Sequence, residues 1–378
     1  MHFEGFVLFL SLTYILLGLR FIFARPCVAV SDSVPEPMVS IILATRNEAA
    51  ILKKCLESLL RIDYPEKKFE LIVVDDDSQD QSPQIIRAFA DAHRNVYYYR
   101  LQPNLKRGAG KAGALMYGIE KSRGEIIFIT DADCVVTPTW VRGLLVQMSG
   151  EVGLVGGFTV LDHRNDSTSL FCKVESLDLI YLLSVAAASA NSGKPASWIG
   201  NNMAFRRKAY EQVGGRSAIG NSLIEDMTLV DAISRKTEWK IHFAAHPDTA
   251  VYSHPVRSIL DFFTQRQRWL CGATDIRPFA QFLLMLTFLT RITFPLILIV
   301  MNWKIALLYL ASLVIIDIFI CGKSLRILNR MDLMKYFLGF ELLSILSSFA
   351  LPLAFLFRPK IKWKDISYSN VTHGKNAK

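Results

Sequence analysis

Two acidic clusters define the chemistry open to this chain of 378 residues. The first, Asp75-Asp76-Asp77, ends the apolar run Leu71–Val74. Three adjacent carboxylates repel one another in a buried site. They fit a rim, where they accept hydrogen bonds from a polar ligand, or a solvated turn. The second cluster, Asp131-Ala132-Asp133, follows the run Ile126–Thr130. Residues two apart in an extended segment point to one side, so Asp131 and Asp133 converge there. Two convergent hard oxygen ligands suit Mg2+ or Mn2+, with a substrate diphosphate completing the shell. Upstream, Thr45-Arg46-Asn47-Glu48 reads as a helix N-terminus. Gly108-Ala109-Gly110-Lys111-Ala112-Gly113 opens a helix without Walker A spacing, yet Lys111 beside a helix start can meet phosphate.

Three later groups are more ambiguous. Glu225-Asp226 opens a helical run, a common place for exposed acids. In Gln265-Arg266-Gln267-Arg268-Trp269, helical spacing places Gln265, Arg268 and Trp269 on one face. That pattern fits a cationic helix on a membrane surface. It also fits a site with Arg268 facing phosphate and Trp269 facing a sugar or base. His242 and His246 fall within Trp239–Ala250, read as one strand, where residues four apart are too distant to chelate, so both are read as structural.

The elements that must position these groups alternate. Apolar runs at Val39–Ala44, Leu71–Val74, Val96–Leu101 and Ile126–Thr130 are each followed by a helix-period segment: Glu48–Leu60, Pro83–His93, Gly110–Lys121 and Pro138–Gln147. Ile51, Leu52, Cys55, Leu59 and Leu60 give the first helix one buried stripe. The alternation predicts an α/β fold with a parallel, helix-flanked sheet. Ligands bind such sheets beyond the carboxyl ends of the strands, where the acidic clusters lie.

Composition adds a membrane. The chain is 51% hydrophobic and 20% charged, with a net charge of +9. Residues 279–378 carry 12 Lys/Arg and 4 Asp/Glu, whereas residues 37–278 carry 29 and 27. The basic excess therefore borders the most apolar segments, as it does around membrane spans, and a nucleic-acid partner is not expected. Gly5–Ala24 is long enough to cross a bilayer. Glu4 and the lack of a small-residue cleavage site favour an anchor over a cleaved signal peptide. Arg20 and Arg25 place the following residues in the cytosol. After residue 279 either three crossings (about 279–301, 304–322 and 336–357) or two are compatible with the charges, since 323–335 and the tail are equally basic. Six cysteines without CxxC spacing argue against a zinc module or a disulfide framework.

Taken in order, Thr45…Glu48, Asp75-Asp76, Lys111-Ala112-Gly113-Ala114-Leu115, Asp131-x-Asp133, Glu225-Asp226 and Gln265-x-x-Arg268-Trp269 resemble the motif series of membrane-bound family 2 glycosyltransferases. That group includes cellulose, chitin and hyaluronan synthases and the ceramide glucosyltransferases. The resemblance spans about residues 39–272. It implies a GT-A fold and inverting transfer from a nucleoside diphosphate sugar, with a UDP-sugar expected. By motif, Thr45, Glu48 and one of Asp75 and Asp76 would hold the uridine with Lys111 nearby. Asp131 and Asp133 would hold the metal–diphosphate, Asp226 beside Glu225 would be the general base, and Gln265, Arg268 and Trp269 would close on the nucleotide. Two positions depart from the pattern: Asp77 stands where glycine is usual, and Met116 where asparagine is usual. The implied organisation is a membrane anchor and linker (1–36), a cytosolic transferase domain with an interfacial helix near 258–272 (37–278), and C-terminal spans with a basic tail (279–378). A cytosolic site on a membrane suits an acceptor in the bilayer. So few spans favour transfer to a lipid over a growing glycan chain. Leu170–Ala190 is an apolar helix for either core packing or a lipid.

Overall fold

The computed structural model describes residues 2–24, 35–101, 110–161, 169–215, 225–256, 258–273, 278–356, 361–363 and 366–368. The chain opens with α1 (His2–Phe23), then alternates: β1 (Val39–Thr45), α2 (Ala49–Leu60), β2 (Phe69–Asp75), α3 (Ser82–Ala92), β3 (Val96–Arg100), α4 (Gly110–Lys121), β4 (Ile126–Asp131). Next come β5 (Val135–Val136), α5 (Trp140–Gln147), β6 (Val152–Gly157), β7 (Thr159–Leu161), the long α6 (Leu170–Asn191), β8 (Asn202–Arg206) and α7 (Arg207–Gln212). The remainder is α8 (Glu225–Lys236), β9 (Lys240–Ala244), β10 (Val251–Ser253), α9 (Ile259–Ala273), α10 (Pro278–Val300), α11 (Trp303–Ile327), α12 (Phe337–Leu356) and a hairpin, β11 (Ile361–Trp363) and β12 (Ile366–Tyr368).

The main sheet has the order β3-β2-β1-β4-β8-β6-β9. β3, β2, β1 and β4 are parallel, β8 runs antiparallel to both β4 and β6, and β6 pairs parallel with β9. Every residue of β2 is buried, as expected for a sheet covered on both faces. Strand alternation sends Ile41 and Leu43 to the face whose core holds Leu52, Leu56 and Trp140, and Ile42 to the other, where α4 packs with Ile119. The chain moves outward from β1 to β3, then crosses to put β4 on the other side of β1. That reversal opens a crevice at the carboxyl ends of β1 and β4.

Among the described residues, four helical stretches are long and apolar enough to cross a membrane: Phe3–Phe23, Pro278–Val300, Trp303–Ile327 and Met331–Ala354. Three therefore follow residue 278. Three charges that interrupt the C-terminal apolar helices come together. Arg291 of α10 pairs with Asp317 of α11, and Glu341 of α12 lies 3.8 Å away. Tyr14 of α1 donates to Asp317 and shares a 2.9 Å hydrogen bond with Tyr181 of α6. Buried charges must be paired, and pairing across helices ties α1, α6, α10, α11 and α12 together. Helix α6 is accordingly buried around most of its circumference, packed against α1, α11 and α12.

Two local expectations change. Trp239–Ala250 is not one strand: β9 ends at Ala244, Pro247 opens a short 3-10 turn, and β10 joins a separate sheet, β5-β10-β7. Proline cannot donate to a ladder, which ends the first strand. His246 caps that turn through Nδ1, which accepts from the Asp248 amide at 3.2 Å. Helix α11 also runs past the expected end near residue 322, so Lys323 and Arg326 are helical rather than loop residues. The Lys323 ammonium donates to the carbonyls of Ile22 (2.8 Å) and Ala24, the unsatisfied end of α1.

Candidate active site

Parallel register brings the strand-end residues together before any ligand is considered. Thr45 pairs with Asp75 across β1 and β2, and Ala44 pairs with Asp131 across β1 and β4. A cavity of about 540 Å3 opens over these ends. Thr45, Glu48, Asp76 and Lys111 line it, as do Asp131, Asp133 and Asp226. Gln265, Arg268 and Trp269 of α9 line the same space. The motifs, separated by more than two hundred residues in sequence, thus converge on one cavity. The backbone of Glu225 opens α8, but its side chain lies outside the described residues.

Asp75 and Asp76 divide the work, because neighbours at a strand end face opposite ways. Asp76 lines the cavity. Asp75 does not: its carboxylate accepts the Ser78 amide (2.9 Å) and the Tyr98 hydroxyl (3.3 Å), with Arg100 Nε at 3.8 Å. The adjoining Asp77 has φ of 59°, the left-handed region in which glycine is free of strain, and this accounts for the family's glycine there. Met116 is buried in the core and does not line the cavity. Arg46 Nη1 donates to the Asp76 carbonyl at 2.8 Å and lies 3.4 Å from its carboxylate. Thr45 is 3% exposed, and its hydroxyl has no hydrogen-bond partner among the described residues. The same holds for the indole nitrogen of Trp198 on the cavity wall.

Asp131 and Asp133 converge by a route other than the expected extended strand. β4 stops at Asp131, and the Cys134 amide donates back to the Asp131 carbonyl at 3.0 Å, closing a turn. Ser253 Oγ donates to Asp133 Oδ2 at 3.3 Å, and Lys111 Nζ pairs with Asp131 Oδ1 at 2.5 Å. Among the described residues, no group of three or more His, Cys, Asp or Glu could hold a metal by itself. Two hard carboxylates open to a cavity nonetheless fit Mg2+ or Mn2+ if substrate oxygens supply the remaining ligands. Beneath them, burial and the charges of Asp133 and Asp131 push the Cys55 and Cys134 thiols up, so neither is a nucleophile at neutral pH.

Asp226 is held in place by what is missing beside it. A side chain at Gly200 would stand 2.7 Å from Asp226 Cβ, so only glycine lets the carboxylate approach. Burial raises the Asp226 pKa; the Lys111 ammonium and the Met227 and Gly200 amides pull it back, and the Asp131 charge adds to the rise. A carboxylate so placed suits proton abstraction. Several further wall residues escaped the sequence reading. Glu175 and Asp178 of α6 line the cavity, with His254 and Arg266. The i, i+3 spacing of the two acids was the available signal, hidden in a helix read only for its apolar stripe. Arg266 is buried rather than solvated. Beyond the acids the cavity reaches Leu283 and Phe288 of α10 and Phe340, Ser344 and Leu351 of α12.

The profile of Glycosyl transferase family 21 matches residues 6–377. The chain belongs to this family. The resemblance to membrane-bound family 2 enzymes is thereby sharpened to a family 2-like group with its own number. Among curated relatives, a beta-monoglucosyldiacylglycerol synthase of Trichormus variabilis is 26% identical over 273 residues, covering 71% of this chain and 56% of the relative. A poly-beta-1,6-N-acetyl-D-glucosamine synthase of Staphylococcus epidermidis is 24% identical over 260 residues, covering 67% and 59%. The chain thus spans about half the length of the curated relatives it matches. Among solved structures, the mannosyltransferase PcManGT of Pyrobaculum calidifontis, in complex with GDP-Man and Mn2+, aligns with a TM-score of 0.58 at 18% identity. The alignment covers 94% of this chain and 97% of that one, so this family 21 member shares the GT-A fold over nearly its whole length.

Proposed function

We propose that this family 21 chain is an inverting glycosyltransferase that moves a sugar from a nucleoside diphosphate sugar, expected to be a UDP-sugar, to a lipid acceptor in the membrane. One observation carries the reading: the cavity over Thr45, Asp76 and Asp131 is continuous with one walled by membrane-spanning α10 and α12. A water-soluble acceptor needs no apolar limb, whereas a lipid does. Thr45, Glu48, Asp76 and Lys111 hold the nucleoside side of the donor, and Gln265, Arg268 and Trp269 close over it. Asp131 and Asp133 would hold a divalent cation, which would stabilise charge on the departing diphosphate. Asp226, with Glu225 beside it in sequence, takes the proton of the acceptor hydroxyl. The acceptor oxygen then bonds to the anomeric carbon as the sugar–phosphate bond breaks, and the bonding pair leaves with the diphosphate. A single displacement inverts the anomeric carbon.

The membrane arrangement follows the same reading. Arg20 in the last turn of α1 supports a cytosolic side for the catalytic unit, residues 37–278, by the positive-inside rule. The Lys323 contacts with the end of α1 support the same side for the end of α11. Incubating membranes with a panel of labelled UDP-sugars, then extracting into organic solvent, tests the function. Label in the organic phase supports a lipid acceptor. Label in an insoluble polymer favours processive polysaccharide synthesis instead, and label in neither refutes the proposal.

A further inference from the structure

Glu175 and Asp178 lie one turn apart on α6, and both engage the segment that carries α9. Glu175, 3% exposed, accepts the Val256 amide at 3.1 Å, just before α9 begins. Asp178 pairs with Arg266 of α9, itself 7% exposed. The Arg266 guanidinium lies between two rings of its own helix, 4.8 Å from Phe262 and 4.2 Å from Trp269. Its Nη1 has no hydrogen-bond partner among the described residues, so Asp178 is the carboxylate that compensates the charge. One and two turns beyond Asp178, α6 is bonded to the apolar helices: Tyr181 to Tyr14 (2.9 Å) and Ser184 to Ser324 (2.6 Å). Helix α6 therefore connects the helix bearing Trp269 to the bundle that walls the apolar limb.

We propose that Asp178 and Arg266, with Glu175 on the Val256 amide, form a latch that fixes α9 against α6 and sets how Trp269 and Arg268 face the cavity. They are positioning residues, and the inference rests on the reading of α9 as the helix that closes over the nucleotide. A planar guanidinium stacked on Trp269 and pinned from α6 restricts the indole in a way apolar packing does not. A buried ion pair adds little net stability against apolar residues of equal volume, so its contribution here is geometric.

The test uses the full chain in detergent, with UDP as the probe. Asp178→Asn alone strands a buried guanidinium and endangers folding. The double substitution Asp178→Leu with Arg266→Met removes both charges at similar volume and is expected to fold. Hydrogen exchange is expected to rise about tenfold or more over residues 259–273 and to stay unchanged over 39–45 and 126–131. UDP affinity, read by tryptophan fluorescence quenching, is expected to fall about tenfold, and Arg266→Lys, which keeps the charge but not the plane, to lie between. Parent-like exchange over α9 would overturn the latch. So would raised exchange throughout the sheet, which would make the pair general core support, or raised exchange over α9 with unchanged UDP affinity. If the parent itself does not bind UDP, the donor reading fails, while the exchange contrast still decides whether the latch exists.

Discussion

Replacing Gly200 with alanine moves Asp226 without altering its charge. The added methyl would lie 2.7 Å from Asp226 Cβ, 3.0 Å from Oδ2 and 3.2 Å from Cγ. Carbon atoms settle at about 3.5–4 Å, so the carboxylate must retreat by roughly 1 Å. A misplacement of that size at a reacting group costs about 100-fold in rate, or about 2.7 kcal/mol in the barrier. Gly200 lies outside the left-handed region, so alanine adds no backbone strain there and the effect stays local. Initial rates of transfer would be measured with the UDP-sugar that the parent uses, at varied donor concentration. Expected is a kcat lower by about 100-fold with a donor KM within about threefold of the parent, because Thr45 and Asp76 are untouched. Gly322→Ala is the control, since its methyl would meet only Met334 Cε at 3.7 Å, an ordinary contact. A folded Gly200→Ala enzyme with parental kcat would show that the position of Asp226 does not limit the reaction, and the base assignment would fall.

Other expectations follow from the same geometry. Asp226→Asn should lower kcat by about 10²–10⁴-fold and abolish the acid limb of the pH–rate profile. In the parent that limb lies above the ordinary aspartate range, because burial raises the pKa and the base works only when ionised. Removing divalent cations with EDTA, or making Asp133→Ala, should stop transfer while far-UV circular dichroism is unchanged; full activity in EDTA would sink the metal reading. Thr45→Val removes a buried hydroxyl that lacks a partner, so the unliganded protein should gain about 1 kcal/mol in denaturant melts while the donor KM rises. Glu175 carries its proton up to about pH 7, against an ordinary 4.5, because burial outweighs the Arg266 charge and the Val256 amide. Its folded pKa is raised, so its contribution is full below 4.5 and is lost as pH rises through 7, by about 3 kcal/mol. Glu175→Gln should flatten that dependence and stabilise the protein at pH 8.

Much of the site was readable in sequence because each strand-end motif follows an apolar run whose register the sheet then imposes. Thr45, Asp76 and Asp131 meet because three parallel strands end together, and strand–helix alternation already implies parallel strands. Legibility ended where a side chain's direction depended on neighbours. Asp75 and Asp76 were indistinguishable until β2 ended and turned one inward and one toward the cavity. Asp131 and Asp133 were paired for a wrong reason, a strand in place of a turn, because a two-residue extension and a tight turn carry the same letters. Arg266 received no role because helical spacing names the face of a residue but not what stands opposite it; Asp178 stands 88 residues earlier in the chain.

The sequence already carried the local quantities: apolar stretches of membrane length, though not their number after residue 279, an alternating α/β order, and acids at strand ends with a lysine at a helix start. Those depend on residue type and on spacing within about twenty positions, which the backbone periods of helix and strand translate directly. Only the tertiary structure decided the rest. It paired Arg291 with Asp317, cleared the space at Gly200 that admits Asp226, and joined the cavity at the strand ends to the apolar limb between α10 and α12. Each of these is a contact between segments far apart in the chain. No periodicity encodes such a contact, because it is selected by the packing of the whole.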